Sequence, residues 1–79
     1  MALDMVLPEL GKDAGDEAEV SFWYVEEGET VKAGQDMVEM VTDKAAFTVP
    51  SPADGKIREI RAKEGAKVKV GEVMAVLEG

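Results

Sequence analysis

The 79-residue sequence has no cysteine and no histidine, and its only aromatic residues are Phe22, Trp23, Tyr24 and Phe47. Without cysteine there is no disulfide to staple a small domain and no thiolate nucleophile. Without either residue the commonest transition-metal ligands and the usual general base are also missing. Cations are scarce as well: nine Lys and Arg stand against seventeen Asp and Glu, a formal net charge of −8. That balance argues against nucleic acid and against anionic membrane surfaces as partners. No run is long and apolar enough to span a bilayer or serve as a signal peptide. The acidic stretch "DAGDEAE" (13–19) does not have the glycine and closing glutamate in the register of an EF-hand loop, so a calcium site is not expected. What is left is one small domain, residues 1–79, expected to be soluble, monomeric and cytoplasmic. Its core must come from aliphatic side chains.

What the sequence does contain is itself, twice. Shifted by 37 residues, "EEGETVKAGQDMVEMV" (26–41) lies over "KEGAKVKVGEVMAVLE" (63–78) with six identities: Glu27/Glu64, Gly28/Gly65, Val31/Val68, Lys32/Lys69, Gly34/Gly71 and Met37/Met74. Self-similarity at a fixed period means one structural unit used repeatedly. Each copy reads as strand, turn, short strand, turn, strand, with the glycines at the turns supplying positive φ. In the third strand of copy one, alternation sets Val38 and Met40 on one face and Met37, Glu39 and Val41 on the other. Asp54-Gly55 reads as a two-residue hairpin, and Pro50 and Pro52 close the strand before it. "KIREIRAKEG" alone would pass for an amphipathic helix, with Ile57 and Ile60 three apart. Its repeat partner "VSFWYV" is β-branched and aromatic, so both are expected to be strands with a bulge. Met37, Met74, Val31, Val68, Val38 and Leu77 are expected in the core with Trp23, and Phe22 on the surface. The fold class is all-β, with the strands closed or sandwiched so that no edge stands alone.

One lysine stands out. In "MVTDKAAFTV" (40–49) an apolar run is broken by Asp43-Lys44 and then resumes. Lys44 lies at the boundary between the two copies, next to the small residues Ala45 and Ala46. The internal symmetry maps that boundary onto the chain end, so the lysine and the termini are expected at opposite poles. A lysine amine titrates near ~10.4 and is a poor nucleophile unaided. Lys44 is therefore expected to accept a modification and not to catalyse.

The segments "LPEL" (7–10), "VEEGETVKAG" (25–34), "TDKA" (42–45) and "VPSPADG" (49–55) resemble the lipoyl domains of 2-oxo acid dehydrogenase complexes over nearly the whole chain. The resemblance implies a flattened barrel of two four-stranded antiparallel sheets with a quasi-twofold repeat. It implies no catalysis by the domain itself, and lipoate as cofactor in amide linkage to Lys44, added by a lipoate ligase or lipoyl transferase. A thiamine-dependent 2-oxo acid decarboxylase would reductively acylate the arm. An acyltransferase catalytic domain would pass the acyl group to coenzyme A, and the flavin enzyme dihydrolipoyl dehydrogenase would reoxidise the dithiol. Sulfur chemistry would arrive with the cofactor, which accounts for a carrier without cysteine. An excised N-terminal domain of an acyltransferase is expected, in the mitochondrial matrix if the source is eukaryotic, and "LPELG" with the acidic "DEAEV" favours pyruvate as the 2-oxo acid.

The sequence also departs from that family. Val41 and Thr48 stand where many members carry glutamate, and the loop 11–19 lacks a frequent Gly-Glu-Gly and is one residue longer. By resemblance, partner recognition is expected from Val41, Thr42, Asp43 and Ala45 around the lysine. It is also expected from Lys12, Asp13, Asp16 and Glu17 in the loop. The alternatives are a biotinyl carrier, whose turn resembles Ala-Met-Lys-Met where this chain has Thr-Asp-Lys-Ala, the longer carrier of the glycine cleavage system, and an unmodified β-sandwich interaction module.

Overall fold

A computed structural model describes residues 2–10 and 15–79. Eight strands follow in order: β1 (Ala2–Val6), β2 (Glu17–Trp23), β3 (Thr30–Val31), β4 (Asp36–Val41), β5 (Ala46–Pro50), β6 (Gly55–Ile60), β7 (Lys67–Lys69) and β8 (Val73–Glu78). They form two four-stranded antiparallel sheets, β1-β8-β6-β3 and β5-β4-β2-β7. Exchanging β1 with β5, β2 with β6, β3 with β7 and β4 with β8 turns one sheet order into the other. The repeat in the sequence is thus a twofold in the fold.

The symmetry holds to single hydrogen bonds. Gly28 N donates to Ile57 O at 2.7 Å, and its counterpart Gly65 N donates to Val20 O at 2.8 Å. Gly34 N meets Ser51 O and Gly71 N meets Leu7 O, both at 2.9 Å. Gly28 and Gly65 have φ of 90° and 87°, a conformation with a steric cost for any residue bearing a Cβ. Identical residues persist at these turns because the same backbone geometry is needed at both.

The predicted bulges are present: pairing shifts register between Val20 and Phe22 in β2 and between Ile57 and Glu59 in β6. One extra residue in each strand returns Trp23 and Ile60 to the inward face three positions after Val20 and Ile57. The helical look of "KIREI" is therefore a bulged strand. Val31, Met37, Val38, Val68, Met74 and Leu77 are buried, as expected, along with Met5, Leu7, Met40 and Ile57. Trp23 is half-buried against this core and donates its indole N–H to Ala62 O at 2.7 Å. Phe22 is exposed.

Two expectations fail. The alternation that set Met37 and Val38 on opposite faces does not hold: both face the core, because a further register shift between Asp36 and Val38 interrupts it at the start of β4. Asp54-Gly55 is not a hairpin: β5 pairs with β4, whereas β6 pairs with β8 and β3. The dipeptide carries the chain across from one sheet to the other. Asp54 Oδ1 accepts from Ala33 N at 2.8 Å, and a Cβ on Gly55 would lie 2.7 Å from the Glu78 carbonyl oxygen. Glycine is required there for close approach, not for turning. Gly55→Ala should therefore cost about 1–3 kcal/mol, as overpacking does, read as a lower urea midpoint with the slope unchanged.

Candidate functional site

Lys44 lies in the loop joining β4 to β5. Val41 pairs with Ala46, and Thr42 N donates to Ala45 O at 2.8 Å, closing the hairpin around Asp43 and Lys44. Two-residue hairpins generally use positive φ, but none of Thr42, Asp43, Lys44 and Ala45 has one. The Thr42 side chain provides the alternative. Its Oγ1 accepts from Lys44 N at 3.2 Å and from Ala45 N at 3.1 Å, and lies 3.3 Å from Ala45 O, to which its hydroxyl can donate. A threonine before the Asp-Lys pair thus builds the tip that Asn-Gly would build elsewhere, and leaves the second loop position to a side chain. Asp43, Lys44, Ala45 and Ala46 are all exposed. Thr42→Val keeps the shape and removes the acceptor. It should cost about 1 kcal/mol and speed amide exchange at Lys44 and Ala45 relative to the β4 core.

The twofold sets this tip at the end of the molecule away from the termini. The row Ala46–Val41–Glu19–Lys67 across one sheet has as its counterpart the row Ala2–Glu78–Lys56–Thr30 across the other. The hairpin closes the first row, and the chain ends leave from the second. β5 runs from the tip at Ala46 to Pro50, and Gly55, five residues past the end of β5, adjoins the Glu78 carbonyl. The molecule is 34 Å along its longest axis.

Two depressions flank the hairpin. On the β2–β7 side a cleft of about 400 Å³ is lined by Glu17, Ala18, Glu19 and Lys67 together with Val41, Thr42 and Asp43. The structure therefore brings Glu17 to the tip beside Val41, Thr42 and Asp43. Asp16 precedes β2 and accepts from Val70 N through its backbone oxygen. Lys12 and Asp13 lie outside the described residues. On the other side a groove of about 310 Å³ separates Pro8–Leu10 from β5. Glu19, Lys67, Leu10 and Phe47 were not singled out from the sequence. None of the four carries a local signal, because only strand pairing and the packing of the segment after β1 bring them to the tip. Among the described residues no group of three or more acids is arranged to hold a metal ion, and no helix is long and apolar enough to cross a membrane.

The residues present fit the aliphatic acid that the resemblance implies. An amide needs one approachable amine, Lys44 is exposed and followed by the small residues Ala45 and Ala46, and Thr42 and Ala45 open onto an apolar surface.

The chain is similar to known proteins. The family described as "Biotin-requiring enzyme" matches residues 3–77. The dihydrolipoyllysine-residue succinyltransferase component of the 2-oxoglutarate dehydrogenase complex of Bartonella vinsonii subsp. berkhoffii is 40% identical over 78 residues, which are 99% of this chain and 19% of the relative. The dihydrolipoyllysine-residue acetyltransferase component of the pyruvate dehydrogenase complex of Corynebacterium glutamicum is 38% identical over 77 residues, which are 98% of this chain and 11% of the relative. The chain thus spans a fifth or less of the length of these relatives. The solution structure of the lipoyl domain of the 2-oxoglutarate dehydrogenase complex from Azotobacter vinelandii superposes with a TM-score of 0.75 at 34% identity, covering 98% of this chain and 96% of that one.

Proposed function

Because the chain belongs to the biotin- and lipoyl-carrier family, and within it to the lipoyl domains, we propose that it carries lipoate in amide linkage on Lys44 as a swinging arm. The observation that supports this most is the Thr42-supported hairpin, which offers one lysine at the pole remote from the chain ends. When bound, lipoate supplies a dithiolane able to take up an acyl group together with two electrons and pass both on. The chain's own contribution is mechanical. The hydroxyl of Thr42 fixes the backbone beneath the lysine, Ala45 and Ala46 keep the approach open, and the distant termini let a leash hold the domain without covering the tip. Tethering of this kind raises the effective concentration of the arm at each active site it can reach.

The partners of the proposed cycle are a lipoate ligase or lipoyl transferase, a thiamine-dependent 2-oxo acid decarboxylase, an acyltransferase catalytic domain and dihydrolipoyl dehydrogenase, in the cytoplasm or a mitochondrial matrix. Glu17, Val41, Thr42 and Asp43, gathered at one cleft, form the face on which the decarboxylase would recognise its carrier. The relatives belong to both 2-oxoglutarate and pyruvate dehydrogenase complexes, so pyruvate is not singled out. Incubating the lipoylated domain with each decarboxylase and its radiolabelled 2-oxo acid tests the reading. Label should pass to the domain with one of the two, and only after lipoylation. Labelling of the unmodified domain, or no labelling with either, would count against it.

A further inference from the structure

The groove between Pro8–Leu10 and β5 borders the hairpin directly: Thr42 and Ala45, the residues that bracket Asp43 and Lys44, belong to its lining. The rest is largely apolar. Leu10 and Phe47 are half-buried and pack on the core from this side, and Val49 is buried beneath them. Of the charged residues here, the exposed Glu9 belongs to the trough lining, whereas Glu17, Glu19, Asp43 and Lys67 line the opposite cleft. A hairpin with a polar cleft on one flank and an apolar trough on the other is asymmetric in a way the attachment of an arm does not require.

We infer that the trough is a parking site for the arm on Lys44, an inference that rests on the lipoyl reading above. Amide formation removes the lysine charge, and what remains is an aliphatic chain ending in an apolar ring, the chemistry that Leu10, Phe47 and Val49 would take from water. Because the arm begins at the residue between Asp43 and Ala45, entry into the trough is intramolecular and needs little intrinsic affinity. The volume, about 310 Å³, lies at the lower end of the range of about 300–1,000 Å³ for small-molecule clefts. A parked ring is shielded from thiols in solution and is withdrawn when a partner enzyme engages the tip.

The test uses the isotope-labelled domain carrying unlabelled lipoate, with intact mass confirming the modification first. Filtered nuclear Overhauser spectra should connect the arm's methylene and ring protons to Leu10, Phe47 and Val49. Thr48→Arg, an exposed position on β5 opposite Glu39, brings a charge to the rim where the strand pair tolerates it. That variant should lose the contacts, keep its melting temperature and be reduced severalfold faster by dithiothreitol. A lipoylated domain whose shifts change only over Asp43–Ala45, with no contact from arm to trough or with equal reduction rates in both proteins, overturns the parking site alone. Failure to acquire the lipoyl mass, when a known lipoyl domain acquires it in parallel, overturns the carrier reading and this inference with it.

Discussion

Replacing Lys44 with arginine should abolish loading of the domain with lipoate and leave its unfolding transition where it was. Arginine keeps the positive charge and most of the length, but its guanidinium stays protonated at any working pH and forms no amide with an activated acid. The fold should not register the change. Lys44 is exposed, and the turn beneath it is held by Thr42, whose hydroxyl contacts the backbone of Lys44 and Ala45. Exposed substitutions of this kind stay within about 0.5 kcal/mol. Two readouts separate the possibilities. Modification of the wild type removes one cation, taking the formal charge from −8 to −9, so native electrophoresis shifts and intact mass rises; neither happens in the variant. Continued loading of the variant would mean that another lysine is the acceptor. A large drop in melting temperature would mean that Lys44 is structural.

The second large effect concerns the doubled core. Met40 in β4 and Leu77 in β8 are counterparts under the 37-residue repeat, and they are 0% and 1% exposed. Each truncated to alanine should cost about 2–5 kcal/mol, lost burial plus residual cavity. For a domain whose whole stability is of the order of 5–15 kcal/mol, that is severe. At this chain length it corresponds to a fall in melting temperature of roughly 10–30 °C. The two costs should also be alike, because the twofold gives both residues equivalent neighbours. Urea titrations monitored by Trp23 fluorescence read both. If one substitution were severe and the other neutral, the halves would not share the core equally.

How far these features could be read from the sequence varies by residue. Glu27-Gly28 and Glu64-Gly65, with their matching valines, are local signals repeated at a fixed distance, and two weak signals that agree overruled the helical look of Ile57 and Ile60. The register shift that buries both Met37 and Val38 left no trace in the pattern, because bulges are settled by pairing across strands and not along one. Asp54-Gly55 misled for a related reason. A glycine forced by the carbonyl of Glu78 looks in sequence like a glycine forced by a turn. At the site, Lys44 with Thr42 and Asp43 was visible because the tip is made by consecutive residues. Leu10 and Phe47 reach the tip only once β5 takes the edge of its sheet and the segment after β1 passes beside it.

Intact mass and peptide mapping of this chain, expressed in cells that supply lipoate, biotin and the ligases for both, test the central claim most directly. One lipoyl group on the peptide containing Lys44, and nothing elsewhere, is the result the structure leads to. A biotinyl group there, a lipoyl group on any of the other lysines, or an unmodified chain beside a fully modified control domain would contradict it.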